Sequence, residues 1–242
     1  MQGSFLLGYT MHPPIEYILF DLDNTLYSAR WGLEQEVSRR VNDYIAAYLN
    51  MSREEAWAFR KERITAGKYG TTLEWLRAEM GFPDSELAGY FACLHPEDEA
   101  DNLVPDPGLR PFLLSLASLG ISMGILTNSV LEHAQRILNK LGVADIFPII
   151  FDMWKNDLKG KPDAGMYRQV LKELGVEAPS CLLVDDVPFY IEGFCAIGGT
   201  GVYLDEDDNH PEFPGLRIRK LEELCSLCWP DGAPLLPPMD NR

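Results

Sequence analysis

Residues 17–27 read YILFDLDNTLY, and this stretch decides the fold. The apolar run from Ile15 to Phe20 lies between Pro14 and a turn expected at Asn24. It is short enough for a strand and apolar enough for one covered on both faces. The run delivers two carboxylates, Asp21 and Asp23, to the strand end. Burying them unpaired would cost several kcal/mol, so they belong at the open carboxyl edge of a sheet, facing a cation or hydrogen-bond donors. Taken alone, the stretch also fits a plain strand end followed by an Asp/Asn/Thr turn.

Working outward, residues 28 to 102 carry a helical period, with Leu33, Val37, Val41, Tyr44, Ile45 and Tyr48 at three- and four-residue steps and no strand candidate among them. Ser52 and Glu55 form a capping box ahead of a second helix. Gly67, Gly70 and Gly81 punctuate a third over 71–80, and Asp84 opens a fourth that fades near His95. After the linker VPDPG at 104–108 the period changes. Helices at 109–119, 129–141, 163–174 and 188–197 alternate with strands at 121–126, 148–151, 181–184 and 201–204. Such alternation predicts a Rossmann-like three-layer α/β/α core with a parallel sheet. The expected division is a discontinuous core over 15–27 and 104–228, an inserted all-α cap of four helices over 28–103, and loose termini at 1–14 and 229–242. A cap inserted at the carboxyl edge can cover the two opening acids as a lid.

The 242 residues, 46% hydrophobic, supply ample material for a packed interior. A formal charge of −16, from 37 acids against 21 bases, excludes non-specific attraction to a nucleic acid polymer or an anionic membrane. No apolar run approaches the roughly 20 residues of a membrane span, and the short Phe5-Leu6-Leu7 run lacks the basic flank of a signal peptide. A cytoplasmic location is the expectation. The five cysteines form no disulfide framework. Cys225 and Cys228 could supply half of a zinc or redox site, but their helical surroundings, LEELCSLCW, favour apolar packing in a terminal helix.

Three more polar sets fall at or just beyond other expected strand ends. Thr127-Asn128-Ser129 opens a helix and offers either an anion site or ordinary N-caps. In Lys159-Gly160-Lys161-Pro162-Asp163, proline fixes the turn, Asp163 can cap the next helix, and Lys161 is held at the helix mouth. Asp185-Asp186 ends a buried strand, where adjacent acids repel unless a cation lies among them. Mg2+ suits such a set, binding through one or two carboxylates and bridging to a substrate phosphate; Ca2+ would want more protein oxygens.

The four sets in this order resemble the motifs of the haloacid dehalogenase-like (HAD) superfamily of phosphohydrolases, over Tyr17 to about Leu204: FDLDNTLY at 20–27, LTNS at 126–129, GKPD at 160–163 and LLVDD at 182–186. The resemblance implies a Mg2+-dependent phosphatase. Asp21 would be the nucleophile that forms an aspartyl phosphate, and Asp23 would protonate the leaving alcohol and then activate water. Asp21, the backbone carbonyl of Asp23 and Asp186, with Asp185 as a further candidate, would hold Mg2+. Thr127, Lys161 and the Asn128 backbone would neutralise the phosphoryl oxygens. Asp23 also separates this chain from the dehalogenase branch, which lacks the second acid.

The helical insertion matches the first cap type of the superfamily, and FDLDNTLY, GKYGTTLEWL at 67–76 and ILNKLGVADIF at 137–147 resemble its pyrimidine 5′-nucleotidase-like branch. That implies a small-molecule phosphomonoester as substrate, a pyrimidine nucleoside 5′-monophosphate foremost. A sugar-phosphate or phosphoglycolate phosphatase, a phosphomutase, or a phosphate-binding regulatory protein with a degenerate site would use the same core. In the cap, Lys68, Tyr69, Thr71, Thr72 and Arg77 are candidates to meet the substrate, or form an ordinary helix surface. The branch usually has Ser-x-x-Asn after the paired acids, whereas Val187, Phe189 and Tyr190 follow here. His12, His95, His133 and His210 match no role in the family and are expected to be surface or packing residues.

Overall fold

The computed structural model describes residues 15–65 and 69–228. Its sheet has six strands: β1 (Tyr17–Phe20), β2 (Ser122–Leu126), β3 (Ile150–Phe151), β4 (Cys181–Asp185), β5 (Thr200–Leu204) and β6 (Leu216–Ile218). The order is β3-β2-β1-β4-β5-β6, and every pairing is parallel. β1 is thus central, with β2 on one side and β4 on the other. The chain first builds outward through β2 and β3, then crosses to the far side of β1. Such a reversal leaves a crevice at the strands' carboxyl ends. The register Phe20↔Val184 sets Asp21 level with Asp185, and the Asp21 N–H donates to the Val184 carbonyl at 2.9 Å.

Period-2 alternation in β1 feeds two separate interiors. Ile18 and Phe20 pack with α5 (Leu109–Ser118), α6 (Leu131–Leu141) and α9 (Glu223–Cys228), through Phe112, Leu116, Ile137, Leu138 and Leu224. Tyr17 and Leu19 face α7 (Ala164–Leu174) and α8 (Pro188–Ala196), through Met166, Tyr167, Val170, Ile191 and Phe194. Helices on both faces account for β1 being buried along its whole length.

Between β1 and α5 come α1 (Leu33–Leu49), α2 (Arg53–Thr65), α3 (Thr72–Met80) and α4 (Leu87–Leu94). They close a third apolar cluster of their own, in which Val41, Ile45, Ala56, Trp75, Leu76, Phe82 and Tyr90 are joined, among the described buried residues, by only Met153 and Leu158 from beyond the block. The capping box ahead of α2 is formed in both directions: Ser52 N–H donates to Glu55 Oε2 at 2.8 Å, and Glu55 N–H to Ser52 Oγ at 3.2 Å.

Strand β6 has no counterpart in the sequence reading, because only Ile218 of its three residues is buried and no apolar run marks an edge strand of that kind. Cys225 is half-buried against the first interior, in keeping with apolar packing. The side chain of Cys228, Lys68 and both predicted loose termini lie outside the described residues. Among the described residues no helix is long and apolar enough to cross a membrane.

Candidate active site

The carboxyl ends of β1 and β4 bring Asp21, Asp185 and Asp186 together, with oxygens that lie within 4.8 Å of one another. Lys161, wholly buried, reaches between them: its Nζ donates to Asp21 Oδ1 and to Asp185 Oδ2, each at 2.6 Å. Burial works against the lysine's charge, but the two carboxylates outweigh it and hold the ammonium well above its usual range. Asp21 is driven well above the ordinary carboxylate range by burial; Lys161 pulls it back, and Asp185, Asp186 and Asp23 push it further up. Asp186 is pushed up to about 7, by burial first and then by Asp185.

One ammonium faces three carboxylates, so the cluster lacks positive charge. A hard divalent cation supplies that charge and takes an all-oxygen donor set, and the residues present fit Mg2+. Both oxygens of Asp185 are already engaged, Oδ2 by Lys161 and Oδ1 by the Val187 N–H at 2.9 Å. Asp21 likewise accepts from Lys161 on Oδ1, but on Oδ2 it has only the longer Thr25 Oγ1 contact, at 3.4 Å, so Asp21 and Asp186 are the better candidates to hold a metal. Because Val187 acts through its backbone, a valine at that position leaves Asp185 anchored. Tyr190 places its ring 5.2 Å from Lys161 Nζ, and Phe189 is exposed.

Lys161 reaches this position through a paired amide clamp. Its N–H donates to Asn128 Oδ1 at 2.5 Å, and its carbonyl accepts from Asn128 Nδ2 at 3.0 Å. Gly160 is needed here, since a Cβ on it would collide with the Asn128 side chain. Asp163 caps α7 as expected, accepting from Gly165 N at 2.8 Å and Met166 N at 3.2 Å. The other turn differs from expectation. α6 begins at Leu131, whose N–H is taken by Asp152 Oδ2 at 3.1 Å, so Thr127, Asn128 and Ser129 are not its caps. They form a loop along the crevice, in which the buried Thr127 Oγ1 accepts from the Ser129 N–H at 3.0 Å.

Asp23 stands in different company. Its side chain is 29% exposed, and its Oδ1 receives two donors: Tyr27 O–H at 2.5 Å and His133 Nε2 at 2.8 Å. Oδ2 has no partner among the described residues. His133 is buried on α6, and its Nδ1 lies 2.8 Å from Glu99 Oε1. Glu99 also meets His95 Nδ1 at 3.0 Å and Arg136 Nη1. An imidazole with a carboxylate oxygen at each nitrogen donates to both only as the imidazolium. Burial opposes that charge, but Asp23 and Glu99 outweigh it and move the His133 pKa up to about 10. Burial likewise raises Asp23, yet His133 and Tyr27 bring it below the ordinary carboxylate range.

Reading His95 and His133 as surface or packing residues is therefore corrected. The available signal was His133 in the apolar stripe of α6, in line with Ile137 and Leu141, on a helix that begins beside the crevice.

Because the folded His133 pKa of about 10 exceeds the unfolded 6.5, its contribution to stability is complete below 6.5 and is lost as pH rises through 10. In denaturant titrations, wild type is expected to exceed His133→Gln by a few kcal/mol near neutrality, with the gap closing above about pH 10. A gap that widens with pH would contradict the imidazolium.

In the helical block, Tyr69 O–H donates to Glu79 at 3.0 Å, Thr71 caps α3 by accepting from Glu74 N at 3.1 Å, and Arg77 pairs with Asp84 at 3.1 Å. Thr72 is buried and accepts from Arg60 Nε at 2.9 Å. Arg60, which the sequence reading passed over, also donates to Ser38 Oγ at 2.8 Å and Asn42 Oδ1 at 3.3 Å, with no carboxylate partner among the described residues. The block reaches the Lys161 turn at Gly70, where a Cβ would lie 3.4 Å from the Lys161 carbonyl.

An open parallel sheet whose reversal point gathers carboxylates and a buried lysine defines an α/β fold with its candidate site at the carboxyl ends of the strands. The chain matches the haloacid dehalogenase-like hydrolase family over residues 15–198 and belongs to that family. It is 27% identical over 223 residues, 88% of this chain and 96% of the relative, to a glyceraldehyde 3-phosphate phosphatase of Methanocaldococcus jannaschii. It is 31% identical over 178 residues, 71% of each chain, to a phosphoglycolate phosphatase of Rhodospirillum rubrum. The fold is shared with a HAD phosphatase from Thermococcus onnurineus, at TM-score 0.61 and 22% identity over 88% of this chain and 97% of that one.

Proposed function

We propose that this enzyme hydrolyses a small phosphomonoester through an aspartyl phosphate on Asp21, with Mg2+ held by Asp21, Asp186 and the Asp23 backbone carbonyl. The single observation that carries the reading is Lys161 bridging Asp21 and Asp185 beside an Asp23 that keeps one oxygen open. As a member of the family, with relatives named as phosphatases, the chain is a phosphoric monoester hydrolase.

In the first half-reaction an Asp21 oxygen attacks phosphorus, the bond from phosphorus to the ester oxygen breaks, and that oxygen leaves with a proton from Asp23 Oδ2. Asp23 rests as a carboxylate, but an arriving phosphate adds negative charge beside it and favours the protonated acid. In the second half-reaction Asp23 takes a proton from water, whose oxygen attacks the phosphoryl group. The Asp21–phosphorus bond breaks, and inorganic phosphate is released. Lys161, Thr127 and the Asn128 backbone meet the phosphoryl oxygens, which spreads charge that would otherwise repel Asp21. Bound Mg2+ supplies the remaining positive charge.

For the substrate, the relatives named for glyceraldehyde 3-phosphate and phosphoglycolate support a small sugar-type phosphate ahead of the pyrimidine nucleoside 5′-monophosphate implied by the first motif. A panel of phosphomonoesters assayed with Mg2+ and with EDTA tests both parts. Phosphate release is expected with Mg2+, to fall by about 10^3-fold or more in EDTA and to return on adding Mg2+. Glyceraldehyde 3-phosphate and phosphoglycolate are expected to exceed UMP and CMP in kcat/KM. The reverse order would move the substrate to nucleotides, and turnover indifferent to EDTA would remove the metal.

A further inference from the structure

Glu99, His133 and Asp23 form a continuous chain of contacts, each link 2.8 Å long, that runs from the segment following α4 to the acid of the site. Both donors to Asp23 address the same oxygen. Tyr27 belongs to the same turn as Asp23 and moves with it. His133 comes from α6, an independent element, and is fixed from behind: Glu99 holds its Nδ1, while Arg136 and His95 hold Glu99. His95 in turn lies 3.3 Å from Ser129 Oγ in the crevice loop. His133 and Glu99 are almost completely buried, at 1% and 2% side-chain exposure, whereas Asp23 is 29% exposed. The shape is that of a rigid hidden arm ending in one accessible carboxylate.

His95, Glu99 and His133 also lie close enough together to hold a metal ion. Arg136 on Glu99 and Asp23 on His133 argue against a cation there, since the guanidinium already neutralises the glutamate and the second imidazole nitrogen is committed.

We infer that His133, held by Glu99, is a positioning residue that fixes the Asp23 carboxylate plane so that Oδ2 is aimed at the leaving-group oxygen. This rests on the assignment of Asp23 as the acid of the proposed reaction. A free aspartate rotates about χ1 and χ2, and a misplacement of about 1 Å in a reacting group can cost on the order of 10^2 in rate. With Oδ1 pinned from two directions, only Oδ2 remains to exchange a proton. Glu99 lies on the stretch through which the helical block returns to the sheet, so the aim of the acid is tied to the position of that stretch.

An ester with an alkyl leaving group needs the acid, whereas a p-nitrophenyl ester, whose leaving group departs as a stable anion, needs it little. His133→Ala is expected to lower kcat/KM for an alkyl phosphomonoester about 10^2-fold, and that for p-nitrophenyl phosphate less than about 5-fold, with KM little changed. His133→Gln keeps an N–H within reach of Asp23 and is expected to recover at least about a tenth of wild-type alkyl-ester activity. Glu99→Gln, which removes the brace without touching Asp23, is expected to show the same leaving-group bias, more weakly. Asp23→Asn, run in parallel, separates the two readings. If it lacks the bias, the acid assignment fails. If it shows the bias while His133→Ala loses both esters equally, or neither, the positioning role is overturned and the acid stands.

Discussion

Replacing Asp21 with asparagine is expected to reduce phosphate release by on the order of 10^4-fold or more, for aryl and alkyl esters alike, because a carboxamide oxygen cannot form and then discharge the acyl phosphate. Stability is expected to move the other way. Burial of Asp21, with Asp185, Asp186 and Asp23 adding to it, outweighs the pull of Lys161, so its folded pKa lies well above the unfolded value. Such a group favours the fold at low pH and opposes it as pH rises. Asparagine keeps an oxygen to accept from Lys161 Nζ and carries no charge to bury. In metal-free protein, Asp21→Asn is therefore expected to melt at or above the wild-type temperature at neutral pH, with the difference growing toward alkaline pH. Adding Mg2+ should stabilise wild type more than the variant, since the variant lacks one of the two carboxylates proposed to hold the ion. Single-turnover phosphate release and thermal melts with and without Mg2+ read all three outcomes. Unchanged turnover would remove Asp21 from the nucleophile's role, and a variant that melts well below wild type would show that the charge is compensated in the resting site.

The sequence was informative wherever one physical requirement dominated. A strand buried on both faces must be apolar throughout and must stop where charge begins, so β1 and β4 were readable with their terminal acids, and the helix periods placed α1 to α7 within a few residues. The adjacency of Asp21 and Asp185 depends on a register between strands some 160 residues apart, which no local pattern encodes. The unlike roles of Asp185 and Asp186 were hidden for the same reason: two identical neighbours diverge only because β4 turns one toward Lys161. His133 escaped because a histidine in an apolar stripe has the same sequence pattern whether it packs or bridges two acids. Its partners, Asp23 and Glu99, lie 110 and 34 positions away. The N-cap reading of Thr127 to Ser129 failed because Asp152, from beyond β3, supplies the cap to α6.

Lys161 offers the second large effect, and here activity and stability should fall together. Among the described residues its ammonium is the only cation bonded to Asp21 and Asp185, and all three groups are nearly or fully buried. Lys161→Met keeps much of the volume but leaves two buried carboxylates facing each other without a counterion. Breaking a buried pair in this way typically costs about 3–5 kcal/mol, and the strain is relieved only by protonation. The sign follows: the variant's carboxylates take up protons more readily than in the unfolded chain, so its deficit relative to wild type should be smallest in mild acid and grow as pH rises. Catalysis should drop by on the order of 10^3-fold or more, because the phosphoryl oxygens lose their fixed cation next to Asp21. Adding Asp185→Asn to Lys161→Met removes one of the two orphaned charges. If the lysine acts by charge compensation, the double variant should be more stable than Lys161→Met alone while remaining inactive, a coupling that a double-mutant cycle measures directly. If the second substitution instead adds a further loss of stability, the charge left on Asp185 is not what destabilises Lys161→Met, and charge compensation is not what the fold requires of the lysine.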